Sequence, residues 1–417
     1  MVRVLLYGSG AREHALAYKI KQSPLLTELY LALPNDGFKD LGTVITFKNF
    51  EDLAEKASKL NINLLVVGPE MPLIEGIVDI FSKYDIPAIG PTAEWAMLEG
   101  SKTFAKEFML RNNLPTARYI TINDKNEIDT ALEQFSLPVV LKADGLAAGK
   151  GVAIVDDYKE AKNKLCEYLD GKFGDASKKI IIEEYLKGEE ISLIALWDGL
   201  KLLPFITARD YKRLLDNDLG PNTGGMGSYC PVELTNKENK EITIYVKNLE
   251  KALKKESAQF AGIVYSGLIL TSKGIQVLEY NMRFGDPETQ ALMMHLKSDL
   301  LKLFNSAVNQ KLSDVSLEWH NGSSFCLVVA ANGYPGQPVK GGEIKYLDNI
   351  KVKFGVETFF ASINNDNSRL IACGGRVLSI CKTGDCPQVD VYKAADELDY
   401  PDKIFRKDIG RSSLFTT

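Results

Sequence analysis

The sequence predicts a three-part protein of mixed α/β and α+β class. A parallel-sheet region comes first, a larger mixed section follows, and a small α+β tail closes the chain. Three observations carry this reading. The first hundred residues alternate apolar strands with amphipathic helices. The middle replaces that rhythm with paired strands around a glycine-rich loop. The tail sets two strand-like runs ahead of one late helix. A chain of 417 residues allows two or three domains at about 150 residues each. The expected divisions are 1–101, 102–320 and 321–417, with a hairpin unit at about 115–190 inside the second.

In the first part, Val2–Tyr7, Leu29–Leu33, Leu64–Val67 and Ile86–Ile89 read as four strands. Between them, Arg12–Gln22 has helical spacing, Phe50, Leu53, Ala54, Ala57 and Leu60 share one helix face, and Ile74, Ile77, Val78 and Phe81 share another. Nearly continuous apolar strands alternating with helices imply a parallel sheet covered on both faces. Ligands of such sheets bind at the carboxyl ends of the strands, here the turns Gly8–Glu13, Pro34–Gly37 and Gly68–Pro72.

In the middle part, strands at Pro138–Lys142 and Val152–Val155 flank Ala143–Gly151. A helix is expected from Asp157 to Leu169, strands at Ile180–Glu184, Ile191–Trp197, Val264–Leu270 and Gly274–Asn281, and one helix over Glu288–Asn305. The tail has strands at Phe325–Ala331 and Ile371–Ile380 and a helix near Val389–Leu398.

Composition narrows the function classes. Fifty basic against 55 acidic residues, with no long single-sign run, lack the footprint of a nucleic-acid binder. No apolar stretch approaches the roughly 18 residues of a membrane span. The start breaks at Gly8 without a basic leader or cleavage site, so it reads as a strand. Six scattered cysteines without a C-x-x-C pair suit free thiols in a reducing cytoplasm. His14, His295 and His320 lie too far apart in sequence to suggest a zinc site.

Five segments could carry chemistry. Gly8-Ser9-Gly10-Ala11-Arg12-Glu13-His14 follows a strand and opens a helix, which places backbone N–H groups toward an anion. Arg12 in its first turn strengthens that reading, because no core packing there requires it. Glu13 stands where a dinucleotide fingerprint has its third glycine, which argues against NAD. The loop Gly145–Gly151 is not a Walker loop, but with Lys102 and Lys142 beside it a triphosphate fits better than two solvated lysines. Glu183-Glu184-Tyr185-Leu186, followed by Gly188-Glu189-Glu190, is either an acidic turn or an adenosine contact. Glu279 and Asn281, two apart on a strand, share one face with Val277 and Ile275 and suit Mg²⁺, which takes oxygen ligands. Arg283 follows and could hold an anion or a developing charge. Finally, Asp210–Arg213 and Asp218–Gly227 form a glycine-rich stretch whose backbone can approach a ligand, with Met226 and Tyr229 arguing for order.

Together these pieces resemble the phosphoribosylamine–glycine ligases, or glycinamide ribonucleotide synthetases, of the ATP-grasp superfamily. The resemblance is carried by GSGAREHAL at Gly8–Leu16, VGPEMP at Val67–Pro72, Gly90–Thr92 with LEGSK at Leu98–Lys102, and LKADGLAAGKGV at Leu141–Val152. It continues through IEEYLKGEEIS at Ile182–Ser192, GPNTGGMG at Gly220–Gly227, EYNMRFGDPETQ at Glu279–Gln290 and GGRVL at Gly374–Leu378, spanning residues 2 to about 411.

The resemblance implies a parallel-sheet N-terminal domain, an ATP-grasp core and a small C-terminal α+β domain. It implies a ligase of purine biosynthesis that phosphorylates glycine with ATP and passes the glycyl group to 5-phosphoribosylamine. Lys102, Lys142, Gly145, Gly149 and Gly151 would bind the ATP phosphates, Glu183, Glu184 and Leu186 the adenine end, and Glu190 the ribose. Glu279 and Asn281 would ligate Mg²⁺ or Mn²⁺. Gly10, Arg12, Glu70, Lys212, Asn222, Gly224, Gly225, Met226 and Asp286 would bind the other substrates, and Arg283, Asp210 and Lys142 would be catalytic. The partners implied are small molecules only, with no nucleic acid or membrane, and a monomer. Another ATP-grasp carboxylate–amine ligase is the alternative. Two departures stand out. The usual PGN turn is Leu33-Pro34-Asn35-Asp36-Gly37, and the usual DHKR is Asp210-Tyr211-Lys212-Arg213, which puts Tyr211 in place of a histidine, able to hydrogen-bond but not to serve as a base near neutrality.

Overall fold

The structure is a computed structural model that describes residues 1–145 and 151–410. Its first sheet is parallel and five-stranded, in the order Thr43–Val44, Leu26–Ala32, Val2–Tyr7, Leu64–Val67, Ala88–Ile89. Alternation along its central strand explains the double cover. Val2, Val4 and Leu6 pack with Ala15 and Leu16 of the helix Ala11–Ile20, whereas Leu5 and Tyr7 pack with Leu53 and Ala57 of the helix Phe50–Lys59. The two-residue strand Thr43–Val44 is exposed and has no apolar run to announce it. The expected helix through Ile74 and Phe81 is two helices, Glu70–Ile74 and Ile77–Ser82. They break at Gly76, whose φ of +82° is left-handed.

Two antiparallel four-stranded sheets follow. The hairpin sheet runs Tyr119–Ile122, Ile180–Glu184, Val139–Ala143, Val152–Val155, backed by the helix Tyr158–Leu169. The central sheet runs Leu202–Pro204, Gly188–Trp197, Gly262–Thr271, Gly274–Asn281. One of its faces is covered by the helix Asn236–Lys255, which sequence reading passed over. That helix carries a signal: Thr235 caps it, accepting from the Glu238 N–H, and Glu238 reaches back to the Thr235 N–H. The hairpin sheet joins the central sheet through Tyr185–Lys187 and, at its other end, through Val277 N–H donating to the Pro115 carbonyl at 2.9 Å.

The last large sheet orders Arg209–Asp210, Gly227–Cys230, Ser323–Ala331, Arg376–Gly384, Glu357–Phe360. It therefore draws strands from both sides of residue 320. The expected strand Ile371–Ile380 is two strands in different sheets, Arg369–Ala372 and Arg376–Gly384. The expected helix Glu288–Asn305 is also two, Glu288–His295 and Leu300–Val308. Asp299 restarts the second by accepting from the Lys302 N–H. His14 ties the first sheet's helix to this last sheet. Its Nδ1 accepts from the Phe360 N–H at 2.9 Å, between the rings of Phe38 and Phe360. Burial pushes its pKa down to about 3, so it is a neutral structural acceptor.

Candidate active site

The strand Gly274–Asn281 aims the acidic side of the cleft, and it does so through a bulge. Val277 pairs with Leu268 and Glu279 with Gly267, so Leu278 is an extra residue without a partner. Ile275, Val277 and Tyr280 consequently share the buried face under the helix Asn236–Lys255, and Glu279 turns the other way. This corrects the expected common face of Glu279 with Val277 and Ile275. A bulge is the device by which a sheet re-aims one side chain at a site.

Opposite Glu279 stand four cations: one on a helix, one on a strand and two in loops. Burial alone would raise the Glu279 pKa, but Lys212, Lys142, Lys102 and Arg283 outweigh it and hold the carboxylate below its ordinary range. Lys102 opens the helix Lys102–Arg111 and donates to the Gly145 carbonyl at 2.8 Å. Asp144 fixes that junction by accepting from Ser101 Oγ at 3.0 Å and the Thr103 N–H at 3.1 Å. Lys142 donates to the carbonyl of the bulged Leu278 at 3.2 Å and pairs with Glu183 at 2.9 Å. Lys102, Lys142 and Glu279 thus share one cleft between the hairpin and central sheets. Gly149 lies outside the described residues, and Gly151 accepts from the Ala143 N–H at the far side of the loop.

Arg283 is enclosed by acceptors. Its guanidinium lies 3.0 Å from Glu99 and 3.5 Å from Glu70, and donates to Asn281 Oδ1 and the Phe284 carbonyl at 3.2 Å each. Glu70 is raised by burial but held down by Arg283 and Arg12. Burial dominates at Glu99 and raises it. Asp210 pairs with Lys212 at 3.2 Å, and Lys212 reaches Glu190 at 2.9 Å, so Glu190 meets a lysine before any ribose. Burial pushes the Asp210 carboxyl up to about 6, with Lys212 opposing.

The glycine stretch is held from the C-terminal side. Arg376 donates to the Gly224 and Asp286 carbonyls and to Asp286 Oδ2, the last at 2.9 Å. The Gly224 N–H donates to Tyr334 Oη. Gly225 has φ of +110°, and a Cβ there would stand 2.5 Å from Pro287, so only glycine fits. Asn222 lies exposed on the short strand opposite Arg213. Tyr211 points away from the cleft. Its hydroxyl accepts from the Gly410 N–H, and its ring lies under Arg406.

Several expected contacts are spent inside the protein. Met226 is fully buried in the C-terminal core, and both its backbone groups are bonded, to Tyr211 and Val328, so it has nothing to offer a substrate. Glu183 gives its carboxylate to Lys142 and Lys106. Arg12 is buried, against the expectation of a free side chain. It donates to Glu13 at 2.6 Å and to the Phe284 carbonyl at 3.1 Å. The Gly10 N–H donates to Glu13 at 2.6 Å, so the helix N-terminus already holds an anion, its own Glu13. A side chain at Gly68 or Gly8 would collide with the Glu13 side chain. Glu184 accepts from the Arg118 N–H. Among the described residues, the Leu186 backbone has no hydrogen-bond partner, which leaves an edge available to a planar heterocycle.

Lys106, Glu99, Glu288 and Arg376 complete the cleft and were missed. Glu288 is buried and accepts from Tyr265 at 2.5 Å and Ser192 at 3.1 Å. Glu99, Glu288 and Arg376 lie inside the motifs LEGSK, EYNMRFGDPETQ and GGRVL without a role having been read for them, and Lys106 looks like an ordinary charge on a helix. The contacts that bring them to the site are remote: Glu183 lies 77 residues from Lys106, the Met282 N–H 183 from Glu99, and the Asp286 carbonyl 90 from Arg376.

The residues present fit a divalent ion. Glu279 is ionised and has no hydrogen-bond partner among the described residues, and Asn281 keeps a second lone pair on an oxygen that accepts once. Two protein oxygens suit an ion that shares its shell with phosphate and water. No three His, Cys, Asp or Glu side chains gather to cage a metal among the described residues.

A loop-bearing hairpin sheet set over a central antiparallel sheet, with lysines above and an oxygen pair below, defines an ATP-grasp enzyme, an ATP-dependent ligase. The comparisons sharpen this. The chain matches the domains described as Phosphoribosylglycinamide synthetase, N domain, at residues 2–99, ATP-grasp (A) domain at 100–289, and C domain at 324–412. It is 43% identical to a phosphoribosylamine–glycine ligase of Mesorhizobium japonicum, over 98% of both chains. The crystal structure of a phosphoribosylamine–glycine ligase from Thermotoga maritima superposes with a TM-score of 0.83 at 33% identity, covering 98% of this chain and 100% of that one. A biotin carboxylase domain from Hydrogenobacter thermophilus, in complex with MgADP, shares the fold at TM-score 0.74 and 18% identity, covering 96% of this chain and 91% of that one. The chain belongs to the phosphoribosylamine–glycine ligase family. No helix among the described residues is long and apolar enough to cross a membrane.

Proposed function

We propose that the chain joins glycine to 5-phosphoribosylamine at the expense of ATP, giving glycinamide ribonucleotide, ADP and phosphate in purine biosynthesis. The observation that carries this reading is the single cleft shared by Lys102, Lys142 and Glu279. Lys102 and Lys142 would neutralise the phosphate oxygens, and the Gly145–Gly151 loop would cover them. Glu279 and Asn281 would hold a divalent ion, Mg²⁺ with Mn²⁺ as substitute, which when bound supplies further charge neutralisation on the phosphates. The open Leu186 backbone would take the adenine edge.

On this reading the glycine carboxylate attacks the γ-phosphorus, ADP leaves, and a glycyl phosphate forms. The phosphoribosylamine nitrogen then attacks its carbonyl carbon, and phosphate leaves. Positioning and charge do most of the work in such transfers. Arg283 faces the reacting groups, and Asp210 with Lys212 holds the amine end. Gly10, Glu70, Asp286 and the Asn222–Gly225 loop line the substrate side. The divisions 1–101, 102–320 and 321–417 would serve as amine-substrate, nucleotide and closing domains, with strands Arg209–Asp210 and Gly227–Cys230 lent to the last. We read the chain as a cytoplasmic monomer that binds neither nucleic acid nor membrane.

The test is phosphate release from ATP with each substrate omitted in turn. Release should require both glycine and freshly made phosphoribosylamine. With hydroxylamine replacing the amine, glycine hydroxamate should accumulate, because an acyl phosphate is trapped by a strong nucleophile. Turnover with both substrates but no hydroxamate would reject the acyl phosphate. No turnover with both would reject the reaction.

A further inference from the structure

Lys106 lies one turn beyond Lys102 on the same helix and is 2% exposed. Its ammonium is 3.2 Å from Glu183 Oε1, while Lys142 stands 2.9 Å from Glu183 Oε2. One buried carboxylate thus carries a lysine on each oxygen. Lys106 also donates to Thr116 Oγ1 at 2.7 Å and to the Ala117 carbonyl at 3.4 Å, and it sits over the Tyr119 ring. Its donors are spent inside the protein, so it does not reach a nucleotide. Lys142 is bound to Glu183 and the Leu278 carbonyl, which leaves one of its three N–H donors over.

The charges explain why such an expensive arrangement is built. A Glu183–Lys142 pair alone would be neutral. It would fix the lysine and at the same time cancel the field a polyphosphate needs. A second ammonium on the far oxygen leaves the trio with one net positive charge, on the side where Lys142 faces the cleft. In a poorly solvated site that difference is large. Burial pulls Lys106 down to about 8 while Glu183 resists, so Lys106 is charged near neutrality.

We propose that Lys106 is a positioning residue for the ATP site: it balances Glu183, so that Glu183 can hold Lys142 in place without cancelling the charge Lys142 presents to the polyphosphate. This rests on the ATP-ligase reading above and deepens it.

The experiment measures MgATP affinity by calorimetry on the full chain, without turnover, for wild type, Lys106→Met and the double variant Lys106→Met/Glu183→Gln. Lys106→Met should weaken MgATP binding by about tenfold or more and, in a separate turnover assay, leave the KM for glycine within about twofold. The double variant removes both charges, so the charge of Lys142 is no longer cancelled while Gln at 183 can still accept from it, and it should regain most of the lost affinity. A purely structural role predicts the opposite, a double variant at least as weak as the single one. Thermal melts establish that the variants fold, and Lys106→Gln, which keeps a donor for Thr116, replaces the Met variant if that does not. Unchanged affinity in Lys106→Met, or no recovery in the double variant, overturns the proposal. A wild type that binds no MgATP overturns the ATP reading itself, and the two failures are told apart by that control.

Discussion

Glu279→Gln is expected to lower kcat/KM for ATP by about a hundredfold or more, and to raise the divalent-ion concentration needed for half-maximal rate. The exchange is nearly isosteric. The Glu279 carboxylate has no hydrogen-bond partner among the described residues, so the amide breaks no internal contact. What it removes is one negative charge facing Lys212, Lys142, Lys102 and Arg283, and one of the two carboxylate oxygens. The fold should survive, with some loss of stability because four cations lose their common counter-charge. Rates measured across a Mg²⁺ and a Mn²⁺ titration, with a melt alongside, read both effects. Kinetics indistinguishable from wild type would remove Glu279 from the proposed ion site.

Arg283→Met should produce two separable losses. The first is stability. Glu99 is 8% exposed and loses the guanidinium 3.0 Å away, and breaking such a pair costs about 3–5 kcal/mol while the orphaned partner stays charged. Burial already raises the Glu99 pKa, and without Arg283 it rises further. The folded variant therefore holds a proton that the unfolded chain releases above the ordinary carboxylate range. The sign follows. Stability of the variant, relative to wild type, should fall as pH rises from that range toward the raised pKa, and recover on acidification. Urea unfolding at several pH values measures it, and a difference that grows toward acid would contradict it.

The second loss is turnover. Arg283→Lys keeps the charge but cannot serve Glu99, Glu70, Asn281 and the Phe284 carbonyl together. It should remain the more stable variant and still lose about 10²–10³ in kcat. Near-normal kcat in the lysine variant would reduce Arg283 to a structural role.

The sequence made some of this legible and hid the rest for physical reasons. The strands Val2–Tyr7 and Leu64–Val67 announce themselves because both faces of a parallel strand are apolar. Lys102, Lys142 and Glu279 could be singled out because those side-chain types suit a polyphosphate whatever holds them, and the structure places them around one cleft. Which way Glu279 points was not visible. Ile275, Val277 and Glu279 alternate as if on one face, and the bulge at Leu278 is set by the neighbouring strand. The same holds for Arg12. Its burial depends on the Phe284 carbonyl, 272 residues away. Met226 read correctly as ordered, but its order comes from the C-terminal core, which its segment joins as a strand across the expected boundary at residue 320. The breaks at Gly76 and Asp299 did carry local signals, a glycine and a capping aspartate, which the apolar periodicity overrode.

The most direct measurement is a crystal structure of the full chain with Mg²⁺ and a non-hydrolysable ATP analogue. We expect one triphosphate in the cleft between the hairpin and central sheets, its oxygens within hydrogen-bond reach of the Lys102 and Lys142 ammoniums, and the ion on Glu279 and Asn281. An analogue seated in another cleft, or touching the lysines while the ion lies away from residues 279 and 281, would contradict it.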